Sequence, residues 1–353
     1  MIDIETLASR IVPVDAAAAE NAQRLLDAKT KPRRSLGRLE DLVCQLAAIR
    51  GGAVPMRPEK KVIVVMGADH GVAAEGVSAY PQEVTGQMLL NFARGGAAIN
   101  VLARQAGARI VVVDMGVAHP PPDRPEIRQH RIAAGTANFT RGPAMTREQA
   151  MEALRTGAEL AHQLARTGVG LIGIGDMGIG NTTASSALTA VFTGAPPEEV
   201  TGRGTGVDEA TFRRKIEVVR RGIQVNNPDA ADAIDVLAKV GGFEIAGLAG
   251  VALGAAAARV PVVVDGFIAG VAALAAVRLA PPVAGYLIAS HRSVEVGHRM
   301  VLRALGAKPL LDLDLRLGEG TGAALAMTLV DAALAIASEM ATFEAAGVSD
   351  SGR

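Results

Sequence analysis

Tryptophan is absent from this chain, and cysteine occurs once, as Cys44. Aromatic residues together make up 3% of it. A core so poor in rings must be built from Ala, Val, Leu and Gly, which argues against an aromatic-rich sandwich and favours closely packed α/β layers. One cysteine can make no internal disulfide and has no companions for a thiolate metal site, so a reducing, cytoplasmic setting is expected. Neither sign of charge is in excess, 36 Lys and Arg being matched by 36 Asp and Glu. That excludes a broad basic field for nucleic acid but leaves room for a local anion site. Long apolar runs are also missing. The most membrane-like stretch, 245–289, is cut by Arg259, Asp265 and Arg278 into pieces shorter than the ~20 residues a span needs. The N-terminal "MIDIETLASR" is acidic and polar, unlike a secretory leader. The chain reads as soluble, with no membrane partner.

What is present is glycine, 40 residues of it, and short continuous apolar runs. "KVIVVMG" (61–67), "RIVVVDMG" (109–116), "VGLIGIG" (169–175), "VPVVVDG" (260–266) and "GYLIAS" (285–290) read as strands, with "PLLDLDL" (309–315) a weaker sixth. Runs that do not alternate mark strands covered on both faces. Spaced by helical segments, they predict a doubly wound, mostly parallel, Rossmann-like sheet of five or six strands. Residues 1–58 are expected to form an N-terminal helical segment ending at "GGAVPMRPEKK", 59–317 the α/β core, and 318–353 a loop and C-terminal helical segment. The proline-rich "VAHPPPDRPEI" (117–127) reads as a surface excursion.

Within "LIGIGDMGIGNTTASSAL" (171–188), Gly173, Gly175 and Gly178 match G-x-G-x-x-G. A dinucleotide site would need a second strand ending in an acidic residue about 20 positions on, and no apolar run follows here. An NAD-dependent oxidoreductase is left as an alternative resting on the glycine fingerprint alone, and a non-catalytic nucleotide-binding protein is another. The physics that survives is general: free amides at a helix start, reached through residues lacking Cβ, hold an anion. Asn181, Thr182 and Thr183 can cap that helix or donate to phosphate. Gly202, Gly204 and Gly206 offer a second nest, and Lys215 a compensating charge.

Glu319 stands between Gly318 and Gly320 in "LRLGEGTGAALAMTLV" (315–330), directly before a helix. It is either an acid favoured by the helix dipole or a general base presented on a close-approach loop. His70 and His291 lie at strand ends, and the spacing of His291 and His298 makes no metal motif. No metal and no redox cofactor are expected.

Taken together, "SLGRLE", "ADHGV" with "EGVSAYPQEVT", "GGAAINVLA", "GIGDMGIGNTT", "DVLAKVGGFEIAGLAG", "PVVVDGF", "YLIASHRS" and "LRLGEGTGAALAM" resemble the nicotinate-nucleotide:dimethylbenzimidazole phosphoribosyltransferases over nearly the whole chain. The resemblance implies transfer of ribose 5-phosphate from nicotinate mononucleotide to a benzimidazole nitrogen, with inversion. It assigns Glu319 as general base and Gly178, Asn181, Thr182, Gly204 and Lys215 to the phosphate. Asp265 and Ser293 fall near ribose and nicotinate, and Tyr80, Met88, Met177 and Leu317 along the benzimidazole slot. Asp176, where relatives often carry Glu, is one methylene shorter and is expected to orient rather than react. Arg33 and Arg34 replace a small Pro-Gly type pair, which affects a turn. The resemblance further implies a homodimer and a smaller helical domain built from the N-terminal segment and other helices.

Overall fold

The computed structural model describes residues 2–54, 57–204, 206 and 208–349. Among these, six strands form one sheet: β1 (Lys61–Ala68), β2 (Ala108–Gly116), β3 (Ile127–Gln129), β4 (Leu171–Met177), β5 (Val262–Val264) and β6 (Leu287–Ala289). Their order is β3-β2-β1-β4-β5-β6, and every pairing is parallel. This is the order of the doubly wound nucleotide-binding sheets.

The continuous apolar runs are explained by a core on each side. Side chains of successive strand residues point to opposite faces. Val62, Val64 and Met66 of β1 therefore enter one core, and Ile63 and Val65 the other. The first face is covered by α6 (Arg147–Arg166), α7 (Asn181–Thr193), α11 (Phe243–Ala257) and α12 (Phe267–Leu279). The second is covered by α3 (Arg38–Arg50), α4 (Glu83–Arg94), α5 (Ala98–Gln105) and α14 (Thr321–Glu339). The remaining helices are α1 (Ile4–Ser9), α2 (Ala16–Asp27), α8 (Pro197–Val200), α9 (Glu209–Asn226), α10 (Ala233–Val240), α13 (Val296–Ala304) and α15 (Phe343–Ala346).

Glycine replaces bulk where α6 meets α11. A methyl on Gly157 would collide with the Gly247 carbonyl, and one on Gly250 with that of Leu154. The two helices touch backbone to backbone, so the small-residue composition serves contact rather than flexibility.

The N-terminal helices close onto the end of the chain. The Lys29 ammonium donates to the Met340 carbonyl at 2.6 Å, and Lys29 and Thr342 form an antiparallel bridge. Lys31 and Glu40 form a buried ion pair at 2.8 Å. Between them, Arg34 adopts φ +57°, a left-handed conformation that a glycine would take without strain. By length and composition α14 could cross a membrane, but it lies against α3, α5, β4 and β5.

Two strand expectations are corrected. The sixth strand is β3, at the end of the proline-rich stretch read as a surface excursion; three residues suffice because they pair with Val112–Asp114 of β2. "PLLDLDL" forms no strand beyond a single bridge from Leu311 to His291. Its alternation places Leu313 in solvent.

Candidate active site

In an all-parallel sheet the carboxyl ends of the strands share one rim, and a crevice opens where the connections diverge to the two faces. Here that point lies between β1 and β4. Asp69 and His70 follow β1, Asp176 and Met177 end β4, Asp265 follows β5, and Ser290 and His291 follow β6. The loop before α14 folds back onto β4, its Glu319 N–H donating to the Asp176 carbonyl at 3.2 Å. Gly175 makes this possible, since a Cβ there would strike the Glu319–Gly320 peptide.

Gly318, Glu319 and Gly320 have φ +82°, +64° and +91°. Three successive left-handed residues are tolerated because two are glycine; Glu319 carries the strain. Its backbone is fixed from below. The Asp265 carboxylate accepts the amides of Gly320 at 2.9 Å, Gly322 at 2.7 Å and Ala323 at 3.2 Å. Asp265 thereby supplies the acceptor for the free amides that open α14.

These acids crowd one another. Burial raises the Glu319 carboxyl to about 7, opposed by the Ile99 N–H. One of its oxygens, Oε2, is buried with no partner among the described residues. Burial also lifts Asp265 to about 7, against the pull of its three amides. Asp176 is raised well above the carboxylate range, by burial first and then by Asp265 and Glu244, while Asn181 Nδ2 donates to its Oδ2 at 3.0 Å. The amides favour the charge on Asp265, so the proton belongs to Asp176. Beneath Gly178 lies a second buried pair, His70 Nε2 and Glu244 Oε1, 2.7 Å apart. Burial opposes charge on His70, but Glu244 and Asp69 outweigh it and raise its pKa.

The other wall of the cleft is the glycine cradle. Gly178 turns the chain into α7, where an added Cβ would strike the Ala68 carbonyl. Lys215 on α9 is buried and donates to Thr182 Oγ1 at 3.0 Å. Burial lowers its pKa to about 8, while Glu295 acts the other way. Arg316 reaches the Gly204 carbonyl at 3.4 Å. Amides, an ammonium and a guanidinium, with the Glu295 carboxyl among them, thus gather on one side, and Asp176 with the Glu319 loop stands on the other.

Of the residues expected at the site, Asp176, Met177, Gly178, Asn181, Thr182, Gly204, Ser293 and Leu317 line this cleft, together with Gly318. Lys215 stands behind Thr182. Glu319, expected as the general base, directly follows the lining residue Gly318 but is not itself in the lining, its carboxyl meeting the Ile99 N–H, and Asp265 holds the foot of its loop rather than lining the cleft. Tyr80 is exposed ahead of α4, and Met88 lies half-buried on α4 against the second core; neither lines it. Residues not singled out as binding groups from sequence are His291, Glu295 and Arg316, all in the lining. His291 and His298 are held neutral, with burial lowering them to about 4 and about 3. His298 Nδ1 accepts the Ser293 N–H at 3.0 Å. The strand-end position of His291 was a usable signal, whereas nothing in sequence spacing marks Glu295.

A family model described as phosphoribosyltransferase matches residues 11–348. A Roseiflexus sp. (strain RS-1) protein named nicotinate-nucleotide–dimethylbenzimidazole phosphoribosyltransferase is 58% identical, over 98% of this chain and 97% of its own. One of the same name from Geobacter sulfurreducens is 56% identical over 97% of each. A crystal structure of such an enzyme from Thermus thermophilus, 48% identical, superposes with a TM-score of 0.90 over 95% of this chain and 99% of that one.

Proposed function

The chain belongs to the nicotinate-nucleotide:dimethylbenzimidazole phosphoribosyltransferase family, and from that membership we propose that it moves the 5-phosphoribosyl group of nicotinate mononucleotide onto dimethylbenzimidazole or a related base. The products are α-ribazole 5′-phosphate and nicotinate.

The chemistry needs little covalent help. The leaving pyridinium already carries positive charge, so its departure requires no acid. The incoming benzimidazole must lose its N–H as the other ring nitrogen bonds to the anomeric carbon, and that calls for one base. Glu319 is assigned that role. The observation that supports the reading is geometric: Glu319 is held in a left-handed turn directly after Gly318, which lines the cleft, with its buried Oε2 unpartnered among the described residues, and burial raises its carboxyl to about 7. A base of that strength is matched to neutral conditions. Gly178, Asn181, Thr182, Gly204 and Lys215 grip the phosphate. Ser293 is placed toward the ribose and nicotinate, and Asp265 acts beneath them through the loop. Met177 and Leu317, with Tyr80 and Met88 beyond the cleft, are assigned to the benzimidazole. The protonated Asp176 orients Asn181. Most of the acceleration is then positioning of two rings and one phosphate in line.

The reading extends to a cytoplasmic homodimer. The direct test incubates the purified protein with nicotinate mononucleotide and dimethylbenzimidazole and weighs the product. Release of nicotinate together with the mass of α-ribazole 5′-phosphate is expected; hydride transfer to a nicotinamide dinucleotide, or no new product, would overturn it.

A further inference from the structure

Glu295 is an odd neighbour for a phosphate. It is buried, 7% exposed, and lines the same cleft as Gly178, Thr182 and Gly204. Its backbone precedes α13, and its carboxyl reaches across to the glycine-rich segment before α9. There the Gly204 N–H points at it, and a methyl on Gly202 would collide with its Oε2. That oxygen is buried without a partner among the described residues. The charged groups facing the carboxyl are Lys215 from α9 and Arg316 from the loop before α14. His298, one turn along α13, is neutral and occupied by the Ser293 amide.

The carboxyl therefore takes the Gly204 amide a phosphate would want and lies in the field of the Lys215 ammonium and the Arg316 guanidinium, which themselves bond to Thr182 Oγ1 and the Gly204 carbonyl. We infer that Glu295 is the resident anion of the phosphate cradle in the unliganded enzyme, and that an incoming monophosphate must displace its carboxylate. This rests on the reading of that cradle as the nucleotide phosphate site. Three physical consequences follow. Lys215, otherwise stranded in a dry pocket, keeps a counter-charge before substrate arrives. The cradle stays open and ordered, since Gly202 and Gly204 are held against a fixed group. Phosphate affinity is lower than the amides and cations alone would give, because a like charge stands in the way. Glu295 is thus a specificity-setting residue that weakens ground-state binding of the nucleotide and favours release.

The test compares wild type with Glu295→Gln, which keeps the shape and removes the charge. Dissociation constants are measured by calorimetry for nicotinate mononucleotide, for the nucleoside lacking the phosphate, and for inorganic phosphate. Removing the charge should tighten the mononucleotide and inorganic phosphate by on the order of tenfold and leave the nucleoside unchanged. Unchanged affinities in the variant would overturn the inference. So would weakening of mononucleotide and nucleoside together, which would make Glu295 a ligand of the sugar. If the amide variant does not fold, judged by its melting transition, Glu295→Ser removes the same charge and repeats the comparison. Failure of the underlying reading looks different: wild type would then bind nucleoside and mononucleotide equally, and Lys215→Ala would alter neither.

Discussion

The carboxylate of Asp265 accepts the amide hydrogens of Gly320, Gly322 and Ala323, and so fixes the strained backbone on which Glu319 is carried. The two acids belong to different parts of the chain, one after β5 and one before α14, yet the first sets where the second can point. Asp265→Asn turns one acceptor oxygen into an N–H₂ group facing backbone donors. Loss of charge-assisted hydrogen bonds should destabilise the fold by about 2 kcal/mol or more. Displacement of Glu319 should lower kcat by on the order of 10²-fold. Thermal melting and steady-state rates check the two effects, and near-normal kcat would separate Asp265 from the base.

As the proposed base, Glu319 has to be ionised to accept a proton, and burial raises it to about 7. The rate should therefore rise with pH through neutrality and level off above it. Glu319→Gln should lose about 10²-fold or more in kcat, while nicotinate mononucleotide still binds. The pH–rate profile of that variant should lack the limb near 7. A variant that keeps the limb would assign it to another group.

The raised acids also predict a stability trend. Glu319 and Asp176 hold protons more tightly in the folded chain than in the unfolded one. Stability conferred by those protons is present at low pH, and it falls as pH climbs from the ordinary carboxyl range toward the folded-state values. Glu319→Gln should thus be more stable than wild type at pH 8, by at most about 3 kcal/mol given a rise from 4.5 to about 7. Asp176→Asn should act in the same direction. Both differences should vanish near pH 4. Calorimetric melting across that range is the check.

Lys215 is buried, with its pKa lowered to about 8. Lys215→Ala should weaken nicotinate mononucleotide binding by on the order of tenfold or more, through loss of a phosphate contact. Wild-type affinity should fall as pH rises past about 8, where the free ammonium loses its proton. The variant should lose that dependence. Titrations at several pH values measure it.

Five strands were legible in the sequence because burial on both faces writes a continuous apolar run, as in "VIVV" of β1. β3 was not. Ile127 is its one apolar residue, and it forms only because β2 offers an open edge to pair with. "PLLDLDL" shows the opposite failure, an alternating pattern with no sheet partner beyond one bridge. At the site, the glycines on either side of Glu319 and the strand-to-helix turn before Asn181 were visible as local patterns. Glu295 and Arg316 carry no such local mark, since what places them in the cleft is the approach of α13 and the loop before α14 to the segment near Gly204. The holding role of Asp265 was equally invisible, because its three partners lie more than fifty residues away along the chain.

The long helical excursion between β4 and β5 contributes Thr182, Gly204 and Lys215, whereas Glu319 arrives only after the sheet is complete. The proposed phosphate grip and the proposed base are thus encoded in different blocks of sequence. The two blocks are nevertheless joined by direct contacts, so change in either is constrained where those contacts fall. One join is Arg316 on the Gly204 carbonyl, and another is Asp176, which touches both blocks through Asn181 and through the Glu319 amide; independent change should be hardest at these two residues.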